Sequence, residues 1–158
     1  MRYATPSEVK DIENFVYDAE QEAKKSICKK SQRGAVIFRG PDIIGIGYNK
    51  PTYERTCNPC VRENIKDNSK IELCSAIHAE QMAIIDSVKC GNRLEGSTML
   101  HVKLKDGENK PCEKPSCTVC SRMVLESGIK EFIMREEGGY AIYPSEEFNK
   151  LSFERFLK

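Results

Sequence analysis

The amino-acid sequence predicts an α/β sandwich. Short apolar runs of strand length, such as Gly34–Phe38 and Thr98–Leu104, alternate along the chain with stretches whose apolar residues recur at helical spacing. Strands that alternate with helices build a layered α/β architecture. A length of 158 residues suits one compact domain over 1–158, with a core large enough to dispense with disulfide staples.

The first helix is predicted from Pro6 to about Lys30. Thr5 is its cap, Pro6 fits the first helical position, and Glu8 completes a capping box. Val9, Ile12, Val16, Ala19, Ala23 and Ile27 then recur on one stripe. Gly34–Phe38 reads as a buried strand, Gly40-Pro41-Asp42 as a turn, and Ile43–Tyr48 as the returning strand of a hairpin. From Asn49 to Lys70 the chain is polar, contains Pro51 and Pro59, and shows no clear period. A structureless connection of that length is uncommon outside functional loops. Cys74–Cys90 reads as a helix beginning near His78, apolar on more than one stripe and therefore buried. Thr98–Leu104 is a strand, Lys105–Lys114 a polar loop around Asp106-Gly107, and Cys117–Ser127 a helix ended by Gly128. Ile129–Met134 is another strand. Gly138-Gly139 interrupts the pattern, and Ser145 caps a last helix in which Phe148, Phe153 and Phe156 form one apolar face.

Composition excludes several classes of function. Charged residues make up 31% of the chain but net charge is only +1, so no large basic field points to nucleic acid. No run of eighteen apolar residues predicts a membrane span. Met1–Lys10 lacks the apolar core of a secretory signal, which leads us to expect a cytoplasmic protein. Its eight cysteines are then reduced thiols or metal ligands rather than disulfides.

The chemistry concentrates in His78-Ala79-Glu80 and Pro115-Ser116-Cys117-Thr118-Val119-Cys120. His78, Cys117 and Cys120 make a three-ligand zinc set, which leaves the fourth tetrahedral position open, as in catalytic sites. Cys117 and Cys120 are three apart and share a helix face, and a helix N-terminus favours thiolates. His78 and Glu80 would not share a face mid-helix, but first-turn residues ring the axis and can approach one metal from different sides. Zinc held by two thiolates is nearly neutral. It acidifies its water less than zinc on three imidazoles, for which the water pKa is about 7. A separate base is then needed, and Glu80 is the candidate. A Cys-x-x-Cys can also be structural or redox-active, and Cys112 could close the site as a fourth ligand, but neither role uses Glu80.

The order His-x-Glu, then Pro and Cys-x-x-Cys, is that of zinc-dependent base deaminases. With Ser26-Ile27-Cys28, Gly34–Ile37, Gly47-Tyr48-Asn49-Lys50-Pro51 and Cys74–Glu80, the stretch from Ala19 to Met134 resembles the cytidine/deoxycytidylate deaminase superfamily, and most closely its deoxycytidylate branch. The resemblance implies a three-layer α-β-α sandwich around a five-stranded mixed sheet. It also implies that Asn49 contacts the sugar, that the Ala79 backbone meets the pyrimidine, and that the Ser116 carbonyl receives the exocyclic amine. Lys29, Lys30 and Arg33, read as the end of the first helix, are candidates for a 5′-phosphate. The resemblance further implies a homo-oligomer. The chain differs from the family pattern in Ser116, which follows Pro115, in a longer Lys105–Lys114 loop, and in the strand sequence His101-Val102-Lys103-Leu104.

The expected function is zinc-dependent hydrolytic deamination of a pyrimidine nucleotide, dCMP to dUMP, with zinc-bound water as nucleophile and Glu80 as proton shuttle. The alternatives are a nucleoside, free-base or other amino-heterocycle deaminase and, in a different class, a zinc-stabilised binding module without turnover. One catalytic Zn2+ is expected. A second, structural zinc is a candidate at Cys57, Cys60, Cys74 and Cys112. Cys28 and Cys90 read as small packing residues, and Tyr140 or Tyr143 as candidates for stacking on a base.

Overall fold

The first helix begins as its residues require. In the computed structural model, which describes residues 1–52, 57, 59–65 and 71–154, the Glu8 amide donates to Thr5 Oγ1 at 3.3 Å and the Thr5 amide to Glu8 Oε2 at 2.8 Å. This reciprocal pair opens α1 (Pro6–Lys24). The helix stops well short of Lys30. The Ser26 hydroxyl donates to the Asn49 carbonyl at 2.7 Å and accepts from the Cys28 amide at 3.2 Å, which draws the chain off the helix axis. Ile27, the last residue of the predicted stripe, is 60% exposed.

The other elements, in chain order, are β1 (Arg2–Tyr3), β2 (Gln32–Arg39), β3 (Asp42–Tyr48), β4 (Lys50–Pro51), a 3₁₀ turn (Ile71–Leu73) and β5 (Ala76–Ile77). They are followed by α2 (Ala79–Lys89), β6 (Thr98–Lys105), β7 (Glu108–Asn109), α3 (Thr118–Glu126), β8 (Glu131–Glu136), β9 (Gly139–Pro144) and α4 (Ser145–Glu154). The main sheet runs β1-β9-β8-β6-β2-β3, with β7 folded back on β6. Among the described residues only the β6–β8 pairing is parallel, so the sheet is mixed. Its five long strands are β2, β3, β6, β8 and β9. The fifth, β9, was not placed by the sequence pattern, because Gly138-Gly139 masks the start of the run Tyr140-Ala141-Ile142-Tyr143. The predicted Lys105–Lys114 loop contains a hairpin turn. Asp106 and Gly107 both take positive φ (55° and 78°), the conformation that a tight Asp-Gly hairpin turn uses.

Alternation along the strands sorts two cores. Val36, Leu100, Val102 and Ile133 face α1, packing on Ile12, Val16, Ala19 and Ala23. Ala35, Ile37, Met99 and Phe132 face the other way, onto Ala79 and Ala83 of α2, Val124 of α3 and Phe148 of α4. The result is three layers, α1 over the sheet over α2, α3 and α4. Phe148 is buried and Phe153 is 40% exposed, so these two do not form one buried face; Phe156 lies outside the described residues. Among the described residues no helix is long and apolar enough to cross a membrane.

Candidate active site

Two helix N-termini build the site. His78 caps α2, and the His78 amide donates to Gln81 Oε1 at 3.0 Å, which holds the first turn. Cys117 caps α3, and its Sγ accepts from the Cys120 amide at 3.3 Å. A helix N-terminus concentrates free N–H groups and positive potential, which stabilises a thiolate there. α2 lies tightly against β3, where Ile46 donates its amide to Asp86 Oδ2 at 3.0 Å.

His78 Nδ1 lies 3.1 Å from Cys120 Sγ and 3.5 Å from Cys117 Sγ, and the two sulfurs are 3.1 Å apart. Zinc–sulfur bonds of about 2.3 Å and zinc–nitrogen bonds of about 2.0 Å in a tetrahedron set ligand atoms roughly 3.5 Å from one another. The three atoms therefore fit one zinc after a small outward movement of the sulfurs. Their chemistry fits as well. The Cys117 thiol is pulled down by the hydrogen bond with Cys120 and by His78, against the opposing effect of burial. Cys120 is held up by that same hydrogen bond and by its own burial. Among the described residues the clustered ligand atoms belong to His78, Cys117 and Cys120, and Cys112 is not with them. A closed four-ligand site is thus not assembled.

Glu80 is buried at the second position of α2. Burial pushes its carboxyl up, but His101, His78 and Arg33 act against this and leave it below its ordinary value. His101 Nε2 is 3.8 Å from Glu80 Oε1. Burial lowers the His101 imidazole to about 4 despite the facing carboxylate.

The pair stands in a cavity of about 360 Å³ between α2, α3 and the sheet, within the ~300–1,000 Å³ usual for small-molecule sites. Register explains its gradient from apolar to charged. Met99, His101 and Lys103 follow one another on the site face of β6, and Lys103 is directly opposite Arg33 of β2. Phe132 and Met134 of β8 and Phe148 of α4 supply apolar wall. The phenyl rings of Phe132 and Phe148 stack, with centroids 3.9 Å apart and planes 13° from parallel. Sequence reasoning missed Phe132 as a cavity residue, preferred an apolar helix face for Phe148, which could also close the pocket, and missed His101 as the partner of Glu80. The period-2 alternation around Phe132 and His101 was the available signal.

The remaining predicted residues divide into four groups. Ala79, Ser116 and Asn49 all line the cavity. Asn49 is buried and largely committed to backbone: its Oδ1 accepts from the Arg33 amide at 2.8 Å and its Nδ2 donates to the Ser31 carbonyl at 3.0 Å. Lys29, Lys30 and Arg33 also line the cavity, but from the Lys25–Ser31 connection and β2 rather than from a helix end. Lys30 Nζ donates to the carbonyls of Arg62, at 3.2 Å, and Ile65. Cys57, Cys60 and Cys74 line one small cavity. Cys112 does not join them; its Sγ is 3.7 Å from His101 Nδ1, beneath the site. Cys28 is half-buried in the wall of the main cavity, and among the described residues the thiols of Cys28, Cys57, Cys60 and Cys74 do not form a cluster of metal-ligand atoms. Cys90 is exposed at the end of α2 rather than packed. Tyr140 packs towards α1, and Tyr143 donates to Glu136, so neither lines the cavity.

The model of the cytidine and deoxycytidylate deaminase zinc-binding region matches residues 9–136. The deoxycytidylate deaminase of Schizosaccharomyces pombe is 29% identical over 124 residues, covering 75% of this chain and 35% of the relative. That of Mycobacterium phage D29 is 28% identical over 134 residues, covering 79% and 94%. The chain spans about a third of the length of the two yeast relatives it matches, 35% and 33%. The dCMP deaminase of cyanophage S-TIM5, crystallised in complex with dCMP and dUMP, superposes with a TM-score of 0.58 at 24% identity over 82% of each chain, which shows a shared fold. Because the matched region runs from α1 through β8 and includes His78, Glu80, Cys117 and Cys120, the chain belongs to the cytidine and deoxycytidylate deaminase family.

Proposed function

We propose that the chain hydrolyses the exocyclic amine from a pyrimidine nucleotide, converting dCMP to dUMP, with a zinc held by His78, Cys117 and Cys120. The observation that carries this reading is the buried Glu80 two residues from His78 and 3.8 Å from His101, in a cavity that Lys29, Arg33, Lys103 and Lys114 also line. When bound, zinc supplies Lewis acidity at an open coordination position. Glu80 takes a proton from the attacking water and gives it to the pyrimidine ring nitrogen. It then carries the second proton to the departing amine, which leaves as ammonia while a carbonyl remains on the ring. The Ala79 amide and the Ser116 carbonyl orient the base, and the remaining Nδ2 hydrogen of Asn49 reaches the sugar.

Arg33 and Lys103 side by side, with Lys29 and Lys114 on the same cavity, favour a nucleotide over a nucleoside or free base. A phosphate accepts charge-assisted hydrogen bonds that an uncharged substrate cannot. This reading places the protein in a reducing cytoplasm.

The experiment for the main reading is ammonia release from dCMP by zinc-loaded protein, with a zinc-stripped control. Release that depends on zinc supports it. No release from zinc-bearing protein with dCMP, deoxycytidine or cytosine overturns it.

A further inference from the structure

His101 is the one buried imidazole outside the metal ligands, and the chain has only two histidines. It sits mid-strand on β6, between Ala35 of β2 and Met134 of β8. Its ring is flanked by Phe132, with centroids 6.2 Å apart and planes 26° from parallel. Its two nitrogens face two different groups. Nε2 faces Glu80 Oε1 at 3.8 Å, and Nδ1 faces Cys112 Sγ at 3.7 Å. All three side chains are buried.

Cys112 arrives there by a specific route. After the β6–β7 hairpin, the Lys110 amide donates to the Lys103 carbonyl at 2.9 Å and the Cys112 amide to the Arg135 carbonyl at 2.6 Å. The long connection between β6 and α3 thus threads back against β6 and β8 and sets the thiol on the far side of the His101 ring from Glu80. Burial raises the Cys112 thiol, so it holds its proton and is a donor. A neutral imidazole that accepts at Nδ1 carries its hydrogen at Nε2.

We propose that His101 is a positioning residue for Glu80: the Cys112 thiol donates to His101 Nδ1, commits the ring to its Nε2–H tautomer, and so directs that N–H at Glu80 Oε1. The proposal rests on Glu80 as the proton shuttle. A carboxylate has a broad, two-fold terminal torsion and does not orient itself. With Oε1 held by a fixed donor, Oε2 is the oxygen that carries the proton between water, ring nitrogen and amine. The 3.8 Å separation closes to hydrogen-bond length on assembly of the reacting complex, as catalytic contacts in free enzymes often do.

The test uses the zinc-loaded full chain. With two histidines, a long-range 1H–15N NMR spectrum contains two imidazoles, one of them on the metal. We expect the other to be protonated at Nε2 and bare at Nδ1, and Cys112→Ala to mix its tautomers. An Nδ1–H tautomer in the native chain, or an unchanged ratio in Cys112→Ala, overturns the proposal. In turnover, His101→Phe lowers kcat about 10- to 100-fold, with KM within about twofold and zinc content unchanged. His101→Gln, which keeps an N–H at similar reach, recovers most of the loss. Equal loss in the Gln and Phe variants, or a loss carried by KM, overturns the proposal. A native chain that deaminates no amino-pyrimidine overturns the proposed function instead, and the tautomer measurement still decides the positioning.

Discussion

Gly47 of β3 and Ala83 of α2 are in direct backbone contact: a Cβ on Gly47 would stand 2.5 Å from the Ala83 nitrogen. Gly45 is equally close to the Ala83 carbonyl oxygen. Strand and helix meet here at backbone distance, with only the Met82 and Ser87 Cβ atoms equally close, and that seating sets the height at which α2 presents His78 and Glu80. Gly47→Ala is therefore expected to destabilise the fold by about 1–3 kcal/mol and to weaken zinc retention. Urea unfolding and zinc quantification check it; an unchanged midpoint would mean that α2 shifts without cost.

Glu80→Gln separates chemistry from metal binding. The amide has nearly the shape of the carboxylate but cannot take a proton. Turnover should fall by about 10²–10⁴-fold while zinc per chain stays unchanged. Retained activity on every amino-pyrimidine tested would remove Glu80 from the mechanism.

The stability of the chain should depend on pH through His101. Burial lowers its imidazole to about 4, from an ordinary value of about 6.5. Between these values the unfolded chain binds a proton that the folded chain refuses. The contribution is therefore full above about 6.5 and is lost as pH falls towards 4, by about 3 kcal/mol at most. The urea midpoint of the native protein should drop between pH 7 and pH 5 more steeply than that of His101→Gln at the same zinc concentration. Holding zinc constant matters, because its ligands also release metal as they protonate. Parallel slopes in the two proteins would count against a buried neutral His101.

Arg33→Gln tests the substrate class. Arg33 faces the cavity beside Lys103, and its Nε donates to Ser31 Oγ at 2.7 Å, which fixes the guanidinium. Loss of a charge-assisted contact to phosphate should raise KM for dCMP about tenfold or more and leave deoxycytidine turnover nearly unchanged. Equal effects on both substrates would point to a general role in shaping the cavity.

What the sequence by itself determined is local. The capping box at Thr5, the helix starts at His78 and Cys117, and the His78-x-Glu80 and Cys117-x-x-Cys120 spacings depend on residues a few positions apart, and short-range spacing carries that information. The alternation of strands and helices likewise announced the layered α/β architecture. What only the tertiary structure decided depends on which distant segments become neighbours. Arg33 meets Lys103 because β2 and β6 pair in one register. Cys112 leaves the other cysteines for His101 because its connection bonds back onto Arg135. α1 ends at Lys24, though its apolar period continues, because Ser26 is claimed by the carbonyl of Asn49. Such partners are chosen by burial and hydrogen-bond satisfaction across the whole fold, and no window of sequence contains both members of the pair.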